Sequence, residues 1–439
     1  MQFTKSEELY KRAVTSIPGG VNSNSRFRNP HPIYYQKGEG AYLTDVDGNR
    51  YIDCIMGNGS IILGHNDQEF NERIQYYSTS GIVTGVETEL SIKTAEKFLS
   101  LVPTAEKIRY TNTGTEAIMH AMAMSRTYTG KSDIAVIEGA YNGWHDAVHV
   151  STWPDLQKAG DKSEPNSLPG ASGLIEDVVK STLVLPYNDL ETAERLLTKN
   201  KHRIAALIIE PTMIDIGYIP AKKEYLQGLR KLCDQLNIVL VFDELLTGFR
   251  DSPGGAQEYY GVTPDLSSFG KAISNGYMLA ALAGKSAIFE TVTPGKGTCS
   301  FVGTYNGHQL SLAASLAFLE IYEERKVFQT LQTKTEKLIT EFANIADKYQ
   351  IKARMQGRGG HFHWYFTDQE IVDYRSATQS KKEHYAKFIE TLAGKGVYCS
   401  PNYLLHHAIS MAHTDEIIQQ LVDYMDVSLQ QNTGIKTGS

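Results

Sequence analysis

Five consecutive apolar residues, Ile238 to Phe242, run straight into Asp243 and Glu244. So short and unbroken a run reads as a strand buried on both faces, which is the pattern of a parallel sheet. Its C-terminal end then carries a carboxylate to the edge where open α/β sheets bind ligands. Twenty-eight residues beyond Asp243, past the turn-like Thr263-Pro264-Asp265, Lys271 follows Phe269-Gly270 in largely uncharged surroundings. A partly buried lysine loses its charge readily.

An acid that keeps a pyridine nitrogen protonated, with a lysine that forms an imine to an aldehyde, is the minimum that pyridoxal phosphate chemistry needs. On these two residues alone, a loop-capping carboxylate and a surface lysine are equally good readings. The rest of the chain has to decide.

From about residue 88 helical and strand patterns alternate: Glu87–Leu101, Ile108–Tyr110, Glu116–Thr127, Ile134–Ile137, Leu183–Leu185, Leu190–Leu197, Ala205–Ile209 and Lys223–Leu236. This alternation predicts a doubly wound, mostly parallel sheet. Ahead of it come a short amphipathic helix over 5–15, a glycine-rich loop from Ile17 to Ser23, and three short strands near Tyr34, Tyr42 and Tyr51 with a tight turn at Asp47-Gly48. Behind it lie helices over 310–325 and 327–349, a strand over 361–366, and helices over 381–392 and 415–429. The expected division is an N-terminal segment 1–60, a large domain 61–310 and a C-terminal domain 311–439, the outer two segments forming a smaller α/β lobe.

A chain of 439 residues with net charge −7 and no basic run makes nucleic acid an unexpected partner. The N-terminus lacks the apolar stretch of a signal peptide, and no apolar span approaches about 18 residues, so no membrane association is expected. Four cysteines, at 54, 233, 299 and 399, are widely spaced and include no CxxC pair. They suggest neither disulfides nor a thiolate metal site, and fit a reducing cytoplasm. His361 and His363 share one strand face without a third ligand at close spacing, and adjacent His406-His407 are splayed apart. Both pairs are assigned to packing and hydrogen bonding, and no metal is expected.

Thr113-Gly114-Thr115-Glu116 follows a strand and opens a helix, a place where free N–H groups and hydroxyls hold a phosphate, although a hydroxyl N-cap alone has the same signature. Neither the dinucleotide GxGxxG at this position nor a Walker motif anywhere is present. Tyr141, just after another strand, is placed to stack on a flat heteroaromatic ring or simply to pack in the core.

Taken together, Gly19-Gly20-Val21-Asn22-Ser23, Gly40-Ala41-Tyr42, the run Asp45 to Asp53, Leu63-Gly64-His65, Asn112 to Ala117, Phe242-Asp243-Glu244 and Ala412-His413-Thr414-Asp415 resemble the class III (subgroup II) aminotransferases. The resemblance runs nearly end to end and is strongest to the glutamate-1-semialdehyde 2,1-aminomutase branch. It implies a fold-type I enzyme with pyridoxal 5'-phosphate in imine linkage to catalytic Lys271 and with Asp243 on the pyridine nitrogen. It further implies a phosphate loop of Thr113, Gly114 and Thr115, ring faces covered by Tyr141 and Leu245, and a homodimer in which Thr304 reaches the phosphate in the neighbouring subunit. Arg26, with Ser23 just before it, falls where the aminomutases hold a substrate carboxylate.

Departures from that branch gather around the expected substrate. Asn58 occupies the usual tryptophan place, Leu405 stands for a glutamate, Asp215 for an asparagine and Asn142 for a histidine. With the cofactor machinery matched and the substrate pocket rebuilt, the expected activity is transamination between a carboxylate-bearing amino compound and a keto acid or aldehyde. The alternative is an isomerase of the same family, either an aminomutase or an amino acid racemase.

Overall fold

The computed structural model describes residues 2–432. Its centre is a seven-stranded sheet whose strands, numbered here in chain order, are β1 (Lys107–Thr111), β2 (Asp133–Ile137), β3 (Leu183–Leu185), β4 (Ile204–Ile209), β5 (Val239–Glu244), β6 (Leu266–Phe269) and β7 (Ala280–Gly284). The spatial order is β1-β7-β6-β5-β4-β2-β3. From β6 to β3 every pairing is parallel, and β7 alone runs antiparallel to both its neighbours. β4 and β5 are buried along their whole length, as their unbroken apolar sequences require. The arrangement is the doubly wound, mostly parallel sheet that the alternating sequence pattern predicts.

Helices cover both faces of this sheet. Helix Gly114–Thr129 starts at Thr113, whose side-chain oxygen accepts from Glu116 N at 3.3 Å, and stops at left-handed Gly130. Helix Gln309–Glu324 is buried on nearly every side and packs against helices Gln68–Tyr77 and Glu89–Leu101. Its apolar residues point in all directions, so it behaves as core and not as an amphipathic surface helix.

The N- and C-terminal segments meet in one small sheet. Strands Tyr35–Glu39, Tyr42–Asp45 and Arg50–Asp53 form an antiparallel meander, and Val397–Tyr398 joins it parallel to the last of them. The first strand begins at Tyr35, one residue past the Tyr34 around which the sequence suggests it; Pro32, just ahead, cannot donate to a ladder. The Asp47-Gly48 turn is held by Asp45, whose Oδ1 accepts from the backbone N–H of Asp47 and Asn49. A further antiparallel sheet, Arg354–Arg358, His361–Tyr365 and His407–Ala408, packs with helices Val327–Lys348, Lys382–Gly394 and Asp415–Asn432. Among the described residues no helix is long and apolar enough to cross a membrane, and no group of three or more His, Cys, Asp or Glu is placed to hold a metal ion.

Candidate active site

Sheet register brings the acid and the lysine together. β5 and β6 are parallel neighbours with Asp243 opposite Ser268 and Glu244 opposite Phe269, so Lys271, two residues past the end of β6, emerges at the same carboxyl edge as Asp243. Lys271 itself is left-handed, with φ 47°. This conformation costs a non-glycine residue about 1 kcal/mol and turns the chain sharply away from the strand direction.

Asp243 is 3 % exposed and fully engaged. Asn142 Nδ2 donates to its Oδ2 at 2.9 Å, while Ser268 Oγ and Leu245 N donate to Oδ1 at 3.0 and 3.2 Å. Burial pushes its pKa up; the Asn142 hydrogen bond and the charge of Lys271 pull it back. The setting around Lys271 is acidic, contrary to the uncharged one its sequence neighbours suggest, because Asp243 and Asp215 both interact with it electrostatically.

The expected phosphate loop is tightly built. Thr115 Oγ1 accepts from Trp144 N at 3.1 Å, fixing the helix start against the Tyr141–Trp144 loop. A Cβ on Gly114 would lie 2.4 Å from Leu245 Cδ1, and one on Gly270 the same distance from Leu245 Cδ2. Leu245 is thus wedged between the two glycines. Glycine at 114 is demanded by this approach, since its backbone is ordinary helix.

A cavity of about 820 Å³ opens in front of these residues and is lined by Lys271, Tyr141, Ser23, Arg26 and Asn58, together with Asp215, Leu405 and His406. Tyr141 stacks with Trp153, ring centroids 6.2 Å apart, and Trp153 also faces the cavity. Arg26 is exposed and has no carboxylate partner among the described residues. Neighbouring Arg28 is committed elsewhere, donating to Cys399 O at 3.1 Å and lying 4.3 Å over the Tyr398 ring. Asn58 belongs to a run of four left-handed residues, Met56 to Gly59. Asparagine tolerates that conformation better than most side chains.

Thr304 is exposed and does not line this cavity. Its loop lies against its own chain's helix Gly114–Thr129, with Phe301 stacked on His120 at 3.8 Å and Asn306 3.5 Å from Asn112.

One participant carries no sequence signal. Arg250 is completely buried and donates to the carbonyls of Gly59, Gly359 and Ile409, tying the Asn58 loop to two segments of the C-terminal part. Among the described residues no acid forms an ion pair with it, and burial lowers its pKa to about 9. His361 and His406 pack edge to face with centroids 5.0 Å apart, both buried. Their assignment to packing holds, while hydrogen bonding applies to His363 and His407. His363 Nε2 lies 2.9 Å from Tyr403 O, and His407 Nε2 accepts from Ser400 N at 3.3 Å.

Comparison with known proteins agrees with this geometry. The sequence model for aminotransferase class-III matches residues 23–428. Glutamate-1-semialdehyde 2,1-aminomutase of Methanocaldococcus jannaschii is 35% identical over 427 residues, covering 97% of this chain and 98% of that protein. The enzyme of the same name from Chlorobaculum tepidum is 38% identical, covering 96% of each. Among solved structures, an omega-transaminase from Sphaerobacter thermophilus superimposes with a TM-score of 0.93 at 30% identity, covering 98% of both chains. A further structure, a transaminase with PLP bound, gives 0.88 at 28% identity over 99% of each. From its N-terminal loop to its last described helix, this chain belongs to the class-III aminotransferase family.

Proposed function

We propose that the chain is an aminotransferase, moving an amino group between a carboxylate-bearing amino compound and a keto acid or aldehyde. The cofactor is pyridoxal phosphate, the group held by family relatives. The residues fit it: a lysine amine facing a cavity, a buried carboxylate with three donors behind it, and a glycine-opened helix start packed against Leu245. When bound, its protonated ring serves as the electron sink for the substrate carbon.

In this reading Lys271 would hold the cofactor, and its amine, once freed by the substrate amine, would act as the general base that takes a proton from the substrate carbon and then as the general acid that gives it back. Asp243 keeps the pyridine nitrogen protonated. Asn142, Ser268 and the Leu245 N–H favour the ionised form of that carboxylate against its burial. The free N–H groups opening helix Gly114–Thr129, with the Thr113 and Thr115 hydroxyls, take the phosphate. Tyr141 and Leu245 would hold the ring between them. Arg26 offers its unpaired guanidinium to the substrate carboxylate, with Ser23 and Asn58 alongside. A homodimer in the cytoplasm, with Thr304 completing the partner's phosphate site, goes with this reading; the exposed position of Thr304 suits it.

The observation that carries transamination is the cavity wall at Leu405 and Asn58. An enzyme that shifts an amino group within one molecule must retain a diamine through both half-reactions. A charge-assisted contact to one ammonium is worth roughly 1.5 to 3 kcal/mol, a tenfold or greater effect on retention. Leucine at 405 supplies none, and asparagine at 58 encloses less than an aromatic ring. The isomerase reading draws its support from the curated relatives, which carry the aminomutase name. The deciding assay gives the purified enzyme glutamate-1-semialdehyde with no keto acid. Transamination predicts little 5-aminolevulinate, with any diamine formed released to solvent; rapid, stoichiometric 5-aminolevulinate would establish the isomerase instead.

A further inference from the structure

Two arginines reach the cavity in front of Lys271, and among the described residues neither has an acid for a partner. Arg26 and Arg28 both line it, whereas Phe27 between them does not. Phe27 is extended, with φ −70° and ψ 136°. Residues two apart in such a stretch have their Cα atoms about 6–7 Å from each other. The carboxylates lining the same cavity have other neighbours. Asp53 Oδ2 lies 2.8 Å from His65 Nε2 while its Oδ1 accepts from the N–H groups of Ile55 and Met56, and Asp215 Oδ1 lies 3.6 Å from His406 Nδ1.

The two arginines are held differently. Arg26 ends a single turn, Asn24–Arg26, and is exposed. Arg28 is partly buried, with its guanidinium carbon 4.3 Å over the Tyr398 ring and its Nη2 donating to Cys399 O at 3.1 Å. Tyr398 is in turn met edge-on by Tyr35, ring centroids 5.3 Å apart, and both rings line the cavity. These contacts fix the guanidinium plane but use one N–H and one face of it. A cation drawn partly out of water loses hydration that a carbonyl and a ring return only in part. What completes a planar guanidinium is a carboxylate, which it meets through two parallel hydrogen bonds.

Resting on the reading that this cavity takes carboxylate-bearing substrates, we propose that Arg28 is a second carboxylate-binding residue and that the substrate it selects is a short dicarboxylate, one end on Arg26 and the other on Arg28. One fork satisfies one carboxylate, and Arg28, pinned to Tyr398 and Cys399, is not free to follow Arg26 onto the same group. The terminal carbons of an extended five-carbon diacid are about 5 Å apart, a span that two neighbouring arginine side chains bracket. A monocarboxylate of the same length leaves Arg28 as unpaired as it stands without ligand.

The test is calorimetric titration of the holoenzyme with glutarate and with pentanoate, which share a five-carbon chain and carry no amino or keto group to react. The wild type is expected to bind glutarate at least about tenfold more tightly, the effect of one charge-assisted contact. In Arg28→Met, which keeps the stem and removes the fork, glutarate should fall to the pentanoate level while pentanoate affinity stays within about twofold. Arg26→Met should weaken both. Equal binding of the two acids by the wild type, or equal weakening of both in Arg28→Met, would overturn the proposal. If Arg28→Met melts too low to titrate, Arg28→Gln, which keeps an N–H for Cys399 O, should show the same selective loss; glutarate bound by it as tightly as by the wild type contradicts the proposal. Selective glutarate binding through Arg28 in an enzyme that transfers no amino group to any keto acid would leave this site standing and remove the transamination reading. Amino transfer with no gain for dicarboxylates from Arg28 would remove this proposal alone.

Discussion

Asn142 Nδ2 donates to Asp243 Oδ2 at 2.9 Å, so a loop that follows β2 sets the charge of the acid at the end of β5. The other end of the Asn142 amide, Oδ1, is buried without a partner. The residue is therefore held for what its N–H group gives Asp243. Asn142→Leu should weaken cofactor binding by roughly tenfold to a hundredfold, the worth of one hydrogen bond to a charged group, measured by equilibrium dialysis of the cofactor. Asp243→Asn should leave the fold intact and lower kcat by at least about a hundredfold, because the ring nitrogen then loses its counter-charge.

Gly114 and Leu245 form a steric pair with a definite signature. Gly114→Ala places a methyl 2.4 Å from Leu245 Cδ1, which forces a side chain already wedged against Gly270 to move. Overpacking of this kind costs about 1–3 kcal/mol. The Gly114→Ala protein should melt lower and bind cofactor more weakly, and adding Leu245→Ala should recover a measurable part of the loss. A double-mutant cycle in thermal unfolding gives the coupling; additive effects would mean that the two residues do not meet.

His413 gives stability a pH dependence of known sign. Its Nδ1 accepts from Ser410 N at 3.1 Å, and burial lowers its pKa to about 4 from an ordinary 6.5. The unfolded chain takes the proton first, so the stabilisation is complete above pH 6.5 and is lost as the pH falls toward 4. Over that window the contribution is roughly 3 kcal/mol. The other buried histidines act in the same direction and buried Glu244, raised to about 7, in the opposite one, so the bare pH–stability curve mixes several groups. Comparison of wild type with His413→Asn isolates the histidine: the variant's melting temperature should depend less steeply on pH between 4 and 6.5.

The helices were legible where periodicity and caps agree. Lys223–Leu236 has the bounds its sequence pattern gives, and Gly114–Thr129 extends the expected helix by two residues at each end. β7 was not legible, because Ala280-Ala281-Leu282-Ala283-Gly284 has no β-branched or aromatic residue and is a strand only through burial between β1 and β6. Helix Gln68–Tyr77 was missed for a related reason: a short, polar helix with two buried residues, Phe70 and Ile74, gives a weak period. In the site, Lys271 and Asp243 stand out because strand and loop patterns flank them. Arg250 does not, since an arginine after Gly248-Phe249 reads as a surface charge, and its burial against three carbonyls is created by segments more than a hundred residues away. The Asp215–His406 approach likewise joins residues far apart in sequence that no local pattern relates.

Lys271 as the cofactor lysine is the claim on which the remaining roles depend. Borohydride reduction of the purified enzyme, followed by proteolysis and peptide mass mapping, tests it in one step. The account predicts loss of the visible band and a pyridoxyl phosphate adduct on the peptide containing Phe269-Gly270-Lys271 alone. An adduct on any other lysine, or a freshly purified protein that retains activity with Lys271→Ala, would contradict it.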